Sequence, residues 1–397
     1  MLTQAHAYAG VSRSSAILFI IAMGGALTLR ATTVTWDLNT NYGVSETAID
    51  NQTRINQALT DAKSYLSRHG SYTLVLKLDP GNYTIHNEQG LTNGLLVFNN
   101  INPSGGGRLV FEGSGHSSTA LIFDHYIVGQ SYPTACLYGN PASHITIQGM
   151  QLTTVNMTVT QGAVVSVGSS FVVVEIPAGF PTPADIYDPN MSGGRFLRKY
   201  DNSNPLSPTI IDNTVWPPAD NSQIAWVTAQ QISGQQWQLN LSSSQNPYSP
   251  GDYLAIKSKH GSFSYMFQNG NDFVFDDILW TRESRGVFRN GYDNITVQNS
   301  FIQRDAAISG QAPCLATPDG GPQIGQPSDP PVTTALIQNN QFIGTGDDAV
   351  AFFNVGSGGI IQNNYLAESF ARGILLYSSA SAQLTGNTLV DDAVYYQ

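Results

Sequence analysis

The feature that most constrains the fold of this chain is a short strand-like segment that recurs along it. In each copy, alternating apolar residues precede a polar turn, usually Gln with Asn or Gly: ITIQGMQL (145–152), ITVQNSFI (295–302), ALIQNNQF (335–342), GIIQNNYL (359–366) and, more loosely, AQLTGNTL (382–389). Ile337 and Ile361 lie 24 residues apart, and Ile361 and Leu384 lie 23 apart. Such a period with Asn at the turn is typical of stacked β-coils, in which each coil buries its apolar residues against its neighbours. A leucine-rich repeat has a similar period, but its leucine ladder is absent.

The period is missing between about residues 159 and 256. The segments GAVVSVGSSFVVVEIPAGFP, SQIAWVTAQQ, QQWQLNLSS and PGDYLAIKSK are typical of β-strands joined by Pro- and Asn-rich loops. We therefore predict an inserted β-barrel or sandwich subdomain over 159–256. Residues 32–158 then form an N-terminal cap and the first coils, and the coils resume over 257–397.

One amphipathic helix is predicted near the amino terminus, in NYGVSETAIDNQTRINQALTDAKSYLSRHG. Its apolar positions follow the 3.6-residue period: Ile55, Ala58, Leu59, Ala62 and Leu66. The order of YGV, this helix, an apolar strand and PGNYTI resembles the amino-terminal cap of pectin-lyase-like right-handed parallel β-helices. We predict an all-β fold: a right-handed parallel β-helix with an N-terminal helix cap and an inserted β-barrel or sandwich subdomain.

Charge and the amino terminus bear on location and partners. The formal net charge is −11 and the pI about 4.9. These values argue against a nucleic-acid partner, because proteins bind the phosphate backbone with a positively charged surface. Arg13, an apolar run over 16–29 and small residues near Ala31 favour a cleaved signal peptide (1–31), with an uncleaved membrane anchor as the alternative. We expect a secreted monomer that does not remain at a membrane after cleavage.

The cysteines and histidines suggest no metal or cofactor. Cys136 and Cys314 are compatible with one disulfide bond or with two buried thiols. The seven histidines show no metal-ligand spacing, so no metal site and no cofactor are expected.

Charged residues recur at nearly one position of successive coils. Aligning the coils on their Asn turns superimposes ESRGVF (283–288), QRDAAI (303–308), TGDDAV (345–350), FARGIL (370–375) and VDDAV (390–394). The alignment predicts a ladder of Arg285, Arg304 with Asp305, Asp347 with Asp348, Arg372, and Asp391 with Asp392. Arginines within reach of two adjacent carboxylates would favour one acid and one base. Alternatively, the ladder only pairs charges along a solvent-facing edge.

The pair Asp347 and Asp348 follows a glycine and a long Gly- and Pro-rich segment. In a regular strand the two side chains would point to opposite faces, so both can face one cleft only if Gly346 marks a turn or bulge. A Gly- and Pro-rich excursion, CLATPDGGPQIGQPSDPP (314–331), precedes the pair and carries Asp319. Long excursions inside a compact repeat are uncommon and often functional.

These segments carry a second resemblance. TPDGG and GTGDD resemble the Asn-Thr-Asp and Gly-Asp-Asp motifs of polygalacturonases, and the resemblance implies that Asp319, Asp347 and Asp348 are acid, base and water-positioning groups. The Gly-His-Gly and Arg-Ile-Lys motifs of that family do not follow. The strings ARGILL and DDAV and the inserted subdomain look more like the α-1,3-galactosidase-type β-helix hydrolases.

We therefore predict a secreted glycoside hydrolase of the inverting type, acting on α-linked galactose or galacturonate in a polysaccharide or glycan. Asp305 is a further candidate catalytic carboxylate. The candidate substrate-binding residues are Arg285, Arg304, Arg372, Lys257 and Trp280.

Two other functions remain open. One is a polysaccharide lyase, in which Asp347, Asp348 and Asp391 hold Ca²⁺ and Arg285 or Arg372 removes the proton. The other is a non-catalytic glycan-binding or surface β-helix, in which the charged ladder is structural.

Overall fold

The fold was analysed in a computed structural model, which describes residues 32–124, 135–187, 195–211, 223–258, 265–282, 286–378 and 381–396. The predicted signal peptide (1–31) and Arg285 lie outside the described residues. No helix in the described ranges is both long enough and apolar enough to cross a membrane.

The described elements follow one another in three groups. The first group comprises β1 (Thr33–Asp37), α1 (Leu38–Tyr42), α2 (Asn51–Arg68), β2 (Thr73–Lys77), β3 (Gly81–His86), β4 (Leu96–Val97), β5 (Arg108–Glu112), β6 (Thr119–Asp124), β7 (Leu137–Gly139) and β8 (Ile145–Thr154). The second comprises β9 (Val159–Val167), β10 (Phe171–Glu175), β11 (Arg195–Asp201), β12 (Thr209–Ile210), β13 (Gln223–Ser233), β14 (Gln236–Leu241) and β15 (Tyr253–Ser258). The third comprises β16 (Tyr265–Gln268), β17 (Asn271–Trp280), β18 (Gly286–Arg289), β19 (Asp293–Gln298), β20 (Phe301–Ile302), β21 (Gln323–Ile324), β22 (Val332–Gln338), β23 (Gln341–Ile343), β24 (Val350–Phe353), β25 (Val355–Gln362), β26 (Tyr365–Ala367), β27 (Ile374–Tyr377), β28 (Gln383–Thr385), β29 (Thr388–Val390) and β30 (Val394–Tyr396).

The first and third groups form one parallel β-helix. One sheet has the central order β1-β2-β5-β8-β17-β19-β22-β25-β28, and a second has the order β4-β7-β16-β18-β21-β24-β27-β30. Strands in the same position of consecutive coils pair in parallel, as in Ile295↔Ala335 and Ala335↔Gly359. The predicted stacking of coils is confirmed, since the recurring segments are β8, β19–β20, β22–β23, β25–β26 and β28–β29.

The second group forms a separate antiparallel barrel. Strands β11, β13, β14, β10, β9 and β15 pair in that order, and β15 pairs again with β11, so the ring closes; β12 adds to β11. The barrel has its own apolar core, which includes Leu197, Trp226 and Ile256. Because β8, before the barrel, pairs directly with β17, after it, the barrel is inserted between two consecutive coils of the β-helix.

Helix α2 covers one end of the apolar core. All five residues of its predicted apolar face are buried in the same cluster as the first coils. The helix packs against β2, β3, β4 and β5. The helix therefore covers the apolar core at the end where the first coils lie.

The Gln-Asn-Asn strings owe their recurrence to two side-chain ladders. The first Asn adopts a left-handed backbone, with φ of 56° at Asn339 and 55° at Asn363, a conformation that Asn tolerates better than most residues. The second Asn points inward, where Asn340 Nδ2 donates to Asn364 Oδ1 (2.9 Å) and Asn364 Nδ2 donates to Asn387 Oδ1 (2.9 Å).

The Gln of each string forms the second ladder on the outer side. Gln362 Nε2 donates to Gln338 Oε1 at 2.8 Å, and Gln338 Nε2 donates to Gln298 Oε1 at 2.9 Å. The strand sequence, the turn and the stacking are therefore specified together by three consecutive residues.

Replacing one inner Asn is expected to destabilise the coils. Asn364 is 1% exposed and bonds to Asn340, Asn387 and the Ile337 carbonyl. Asn364→Ala leaves buried polar groups unsatisfied, so we expect a loss of about 2 kcal/mol in the free energy of unfolding, measured by urea denaturation. The control Gln362→Ala removes an outer hydrogen bond that water replaces, and should cost less than about 1 kcal/mol; equal losses would contradict this account.

Candidate active site

Asp347 and Asp348 lie in a bend, not in a strand. The bend covers residues 344–349, between β23 and β24, and begins with Gly344 at a φ of 70°. The expectation that a glycine turn interrupts the strand at this pair is confirmed. Since β24 pairs with β21 on one side and β27 on the other, these two rungs supply the neighbours of the bend.

The Gly- and Pro-rich excursion contains strand β21 and lies next to this bend. The amide of Gly346 donates to the Asp319 carbonyl at 2.9 Å, and the amide of Gly321 donates to the Asp348 carbonyl at 3.0 Å. Hydrogen-bonded neighbouring strands lie about 4.8 Å apart. The structure therefore brings together Asp319, Asp347 and Asp348, the three aspartates predicted from the two motifs.

The two bends share one local conformation. The Thr317 hydroxyl donates to the Asp319 carbonyl at 2.6 Å, and the Thr345 hydroxyl donates to the Asp347 carbonyl at 2.9 Å. Thr-Pro-Asp and Thr-Gly-Asp are thus two copies of one turn on adjacent rungs. Glycine after the first copy permits the close approach, because a Cβ on Gly320 would overlap the Asp348 carbonyl oxygen.

The three carboxyl groups differ in exposure. Asp319 and Asp348 are buried, with 8% and 7% of their surface exposed. Asp347 is only partly buried. Of the three, Asp347 is therefore the side chain most open to a molecule arriving from solvent.

Arg372 on the following rung holds Asp348. Its Nε and Nη2 approach the two carboxylate oxygens of Asp348 at 2.5 and 3.2 Å, and both side chains are nearly buried. Such a fork of two charge-assisted hydrogen bonds fixes position as well as charge. The predicted proximity of Arg372 to the pair is confirmed, while its contact with substrate stays a prediction.

Arg304 does not occupy the ladder position predicted for it. The register of β20, β23 and β26 stacks Arg304, Gly344 and Glu368. Because Gly344 has no side chain, Arg304 passes over it and pairs with the Glu368 carboxylate, while its Nη1 donates to the Pro208 carbonyl at 3.0 Å. The ladder prediction is wrong at Arg304 because this residue lies just after β20, which pairs directly with β23, whereas Asp319, the neighbour of the aspartate pair, lies at the far end of the segment that follows Arg304.

Glu368 was not anticipated from the sequence. It follows YLA in β26 just as Gly344 follows QFI in β23, so an alignment on β23 and β26 instead of on the aspartates would have found it.

Asp305 pairs with Arg282 near the junction with the barrel. Arg282 Nε lies 2.8 Å from the Asp305 carboxylate, and Arg282 Nη1 donates to the carbonyls of Thr154 and Val155 at 3.1 and 2.5 Å. This cluster ties the coil to the segment that leads into the barrel. A catalytic role for Asp305 stays a prediction.

The predictions that Trp280 and Lys257 contact the substrate are wrong, because both side chains are buried. Trp280 is 1% exposed and packs in the core against Phe275 and Phe342. Lys257 is also 1% exposed, and its ammonium group donates to the Gly346 carbonyl. Neither side chain presents a surface to a sugar. Trp280 lies in the apolar core of the β-helix, and Lys257, on the outward side of β15, is covered by the loops of the β-helix.

The cysteines and the acidic groups are the side chains that could hold a metal ion. Cys136 and Cys314 are buried and form no disulfide bond, and burial raises the pKa of the Cys314 thiol, which disfavours the reactive thiolate. Within the described ranges, no group of three or more His, Cys, Asp or Glu side chains is arranged to hold a metal ion.

Asp392, on the rung beyond Arg372, provides a prediction about pH. Its carboxyl oxygens accept hydrogen bonds from the amide (3.1 Å) and hydroxyl (3.0 Å) of Ser369. Burial raises the pKa of Asp392 to about 7, the Glu368 carboxylate adds to the increase, and Ser369 and Arg198 oppose it.

Folded protein keeps the Asp392 proton over a pH range in which the unfolded chain releases it. The contribution of Asp392 to the free energy of unfolding should therefore be greatest below about pH 4 and fall by about 2 kcal/mol as the pH rises to about 7. Urea denaturation across this range measures the slope. Asp392→Asn should remove this contribution and Asp391→Asn should retain it; the same slope in both variants would contradict the assignment.

Comparison with known proteins adds structural neighbours but no family. No protein-family model and no curated protein matches the chain. The GH87 α-1,3-glucanase catalytic unit from Streptomyces thermodiastaticus strain HF3-3 aligns with 13% identity and a TM-score of 0.45, over 92% of this chain and 41% of that one. DFA-IIIase from Arthrobacter chlorophenolicus A6, without its lid, aligns with 13% identity and a TM-score of 0.41, over 90% and 73%. The mannuronan C-5 epimerase A-module from Azotobacter vinelandii aligns with 10% identity and a TM-score of 0.32, over 89% and 77%.

The fold class follows from the chain's own strand register, inward Asn ladder and covering helix. The chain is a parallel β-helix with an inserted antiparallel barrel. It spans less than half the length of the α-1,3-glucanase structures that it resembles. At this level of identity, the likeness between this β-helix and its neighbours concerns the fold, and the chemistry has to be argued from the site.

Proposed function

We propose that the protein is a carbohydrate-active enzyme, a secreted glycoside hydrolase of the inverting type. The observation that carries the proposal is the meeting of Asp319, Asp347 and Asp348 on adjacent rungs. Glycoside hydrolysis needs one carboxyl group to protonate the leaving oxygen and a second to activate water. Three aspartates on two adjacent bends supply this pair and one further group.

Exposure and charge suggest a division of roles. Asp347, the most exposed of the three, is the proposed general acid, because the acid has to reach the glycosidic oxygen. Asp348 is the proposed base, since the Arg372 fork stabilises a carboxylate at that position. Asp319, buried on the neighbouring rung, is proposed to help position the water.

The proposed substrates are α-linked galactose or galacturonate residues in a polysaccharide or glycan. This choice rests on the likeness of TPDGG, GTGDD and ARGILL to the polygalacturonase and α-1,3-galactosidase-type motifs. We also propose that the enzyme acts as a monomer without a metal or other cofactor.

A substrate screen with product analysis tests the proposal. The protein is incubated with α-linked galactosides, pectins and an α-1,3-glucan, with and without a chelator, and new reducing ends are measured together with absorbance in the near ultraviolet. We expect reducing ends without an unsaturated product, no effect of the chelator, and inverted anomeric configuration by proton NMR. An unsaturated, chelator-sensitive product would identify the lyase instead, and binding without any product would identify a glycan-binding protein.

A further inference from the structure

The barrel presents two different faces. On β11 and β15, Leu197 and Ile256 point into the barrel core. The alternate residues point outward, and Tyr200, Tyr253 and Ala255 join a second apolar cluster with Cys314, Leu315 and Phe370 of the β-helix loops. Because successive residues of a strand face opposite sides, one pair of strands both closes the barrel and covers the loops around the candidate site.

Two buried cations lie on the outward face. Lys257 on β15 and Arg198 on β11 are each 1% exposed. Lys257 Nζ donates to the carbonyl of Gly346, directly before Asp347. Arg198 Nη1 donates to the carbonyls of Ser369 (3.2 Å) and Phe370, just before Arg372. Burying a charge is costly unless it is well solvated by protein groups, so these contacts are stronger constraints than surface contacts of the same type.

Phe370 joins the two contacts. Lys257 Nζ lies 4.3 Å and Arg198 Cζ 5.7 Å from the centre of its ring, within the range of cation–π attraction. The Phe370 amide in turn donates to the Thr345 carbonyl at 2.8 Å. The bend with the aspartates and the segment before Arg372 are therefore bound to each other and to the barrel at one point.

We propose that Lys257 and Arg198 are positioning residues, through which the barrel holds the Asp347–Asp348 bend and the Arg372 segment in register. The catalytic part of this proposal rests on the proposed hydrolase function. Neither cation touches the substrate. Lys257 acts through the carbonyl directly before Asp347. Arg198 acts through the carbonyls two and three residues before Arg372, which holds Asp348. The barrel therefore forms part of the site even though the aspartates belong to the β-helix.

The test compares matched variants of the full chain. Lys257→Met keeps the length and apolar stem of the side chain and removes its charge and donors. Arg198→Met does the same at the second rung. The control is Lys199→Met, because Lys199 lies beside Arg198 on β11 but pairs with Asp252 at 2.9 Å within the barrel.

Hydrogen exchange tests whether the cations position the loops, and steady-state kinetics tests whether this positioning affects hydrolysis. Hydrogen exchange, followed by mass spectrometry, should become about 10-fold faster or more in peptides covering 344–354 for Lys257→Met and 368–378 for Arg198→Met, because the loops open more often. Where wild-type hydrolysis is measurable, kcat should fall by about 10²-fold and KM by less than about 3-fold, because the carboxylates are displaced while the substrate contacts remain. Lys199→Met should match wild type in both measurements.

Each outcome bears on one of the two proposals. Unchanged exchange in both loop segments, or wild-type kcat in both variants, would overturn the positioning role. Faster exchange confined to these loops supports it even if no substrate is cleaved. Absence of hydrolase activity in the wild-type protein on every substrate would overturn the proposed function. The positioning role of Lys257 and Arg198 would then be tested by hydrogen exchange alone.

Discussion

Asp347→Asn is expected to reduce kcat for glycan hydrolysis by about 10³-fold or more. The side chain is the most exposed of the three aspartates and is the proposed proton donor to the leaving oxygen. Asparagine keeps the shape and loses the proton, and positioned acid or base groups contribute about 10²–10⁴-fold. Steady-state assays on the substrate found in the screen measure the loss, and thermal unfolding should remain close to wild type.

The chain contains a matched control for this substitution. Asp277 belongs to another Asp-Asp pair, has a left-handed backbone with a φ of 55°, and pairs with His116 at 2.5 Å. Asp277→Asn should leave kcat within about 2-fold of wild type, because Asp277 is only partly buried and belongs to β17 instead of the candidate bend. Equal losses in the two variants, or full activity in Asp347→Asn, would refute the assignment of the acid.

Gly321→Ala is expected to have the second-largest effect, on stability and activity together. A Cβ at Gly321 would overlap the Ala349 carbonyl oxygen, and backbone cannot rotate away as a side chain does. The Asp319 rung would have to move from the Asp347–Asp348 bend. We expect a loss of about 3 kcal/mol in the free energy of unfolding by urea denaturation, and a fall in kcat of about 10²-fold.

Gly356→Ala is the control for added volume. Gly356 lies in β25 without a positive φ, and a Cβ there would meet only the Val332 carbonyl oxygen, at 3.5 Å, which is ordinary contact. The change should alter the free energy of unfolding by less than about 1 kcal/mol. A destabilisation as large as that of Gly321→Ala would show that added volume in any strand, not the spacing of the two acidic bends, is responsible.

Much of the fold could be predicted because its cause is local and repeated. Each Gln-Asn-Asn string specifies an outer hydrogen bond, a left-handed turn and an inner hydrogen bond, so copies of the string stack wherever they recur. The face of α2 was likewise readable from its 3.6-residue period. The aspartate triplet was predicted from the resemblance of TPDGG and GTGDD to polygalacturonase motifs, and the structure shows that both strings form a turn closed by a threonine hydroxyl.

The errors in the predicted site have two origins. The charged strings were aligned as one rung although they lie at different distances from their Asn turns: Arg304 follows Asn299 by five residues, as Gly344 follows Asn339, whereas Asp347 follows Asn339 by eight. Arg304 therefore meets Glu368 and not the aspartates. Lys257 and Trp280 were judged by residue type, but their exposure depends on which loops and strands cover them.

The sequence alone determined the coils, the covering helix and the presence of an inserted β-subdomain, because short-range periodicity and turn chemistry encode each of them, while the three candidate aspartates came from a resemblance between motifs. Only the tertiary structure decided which rungs are neighbours, that the inserted strands close into a barrel, and that Lys257 and Arg198 hold the site loops from that barrel. The physical reason is that these features depend on contacts between residues about 90 to 170 positions apart. No periodic pattern in the sequence indicates which of such distant residues are in contact.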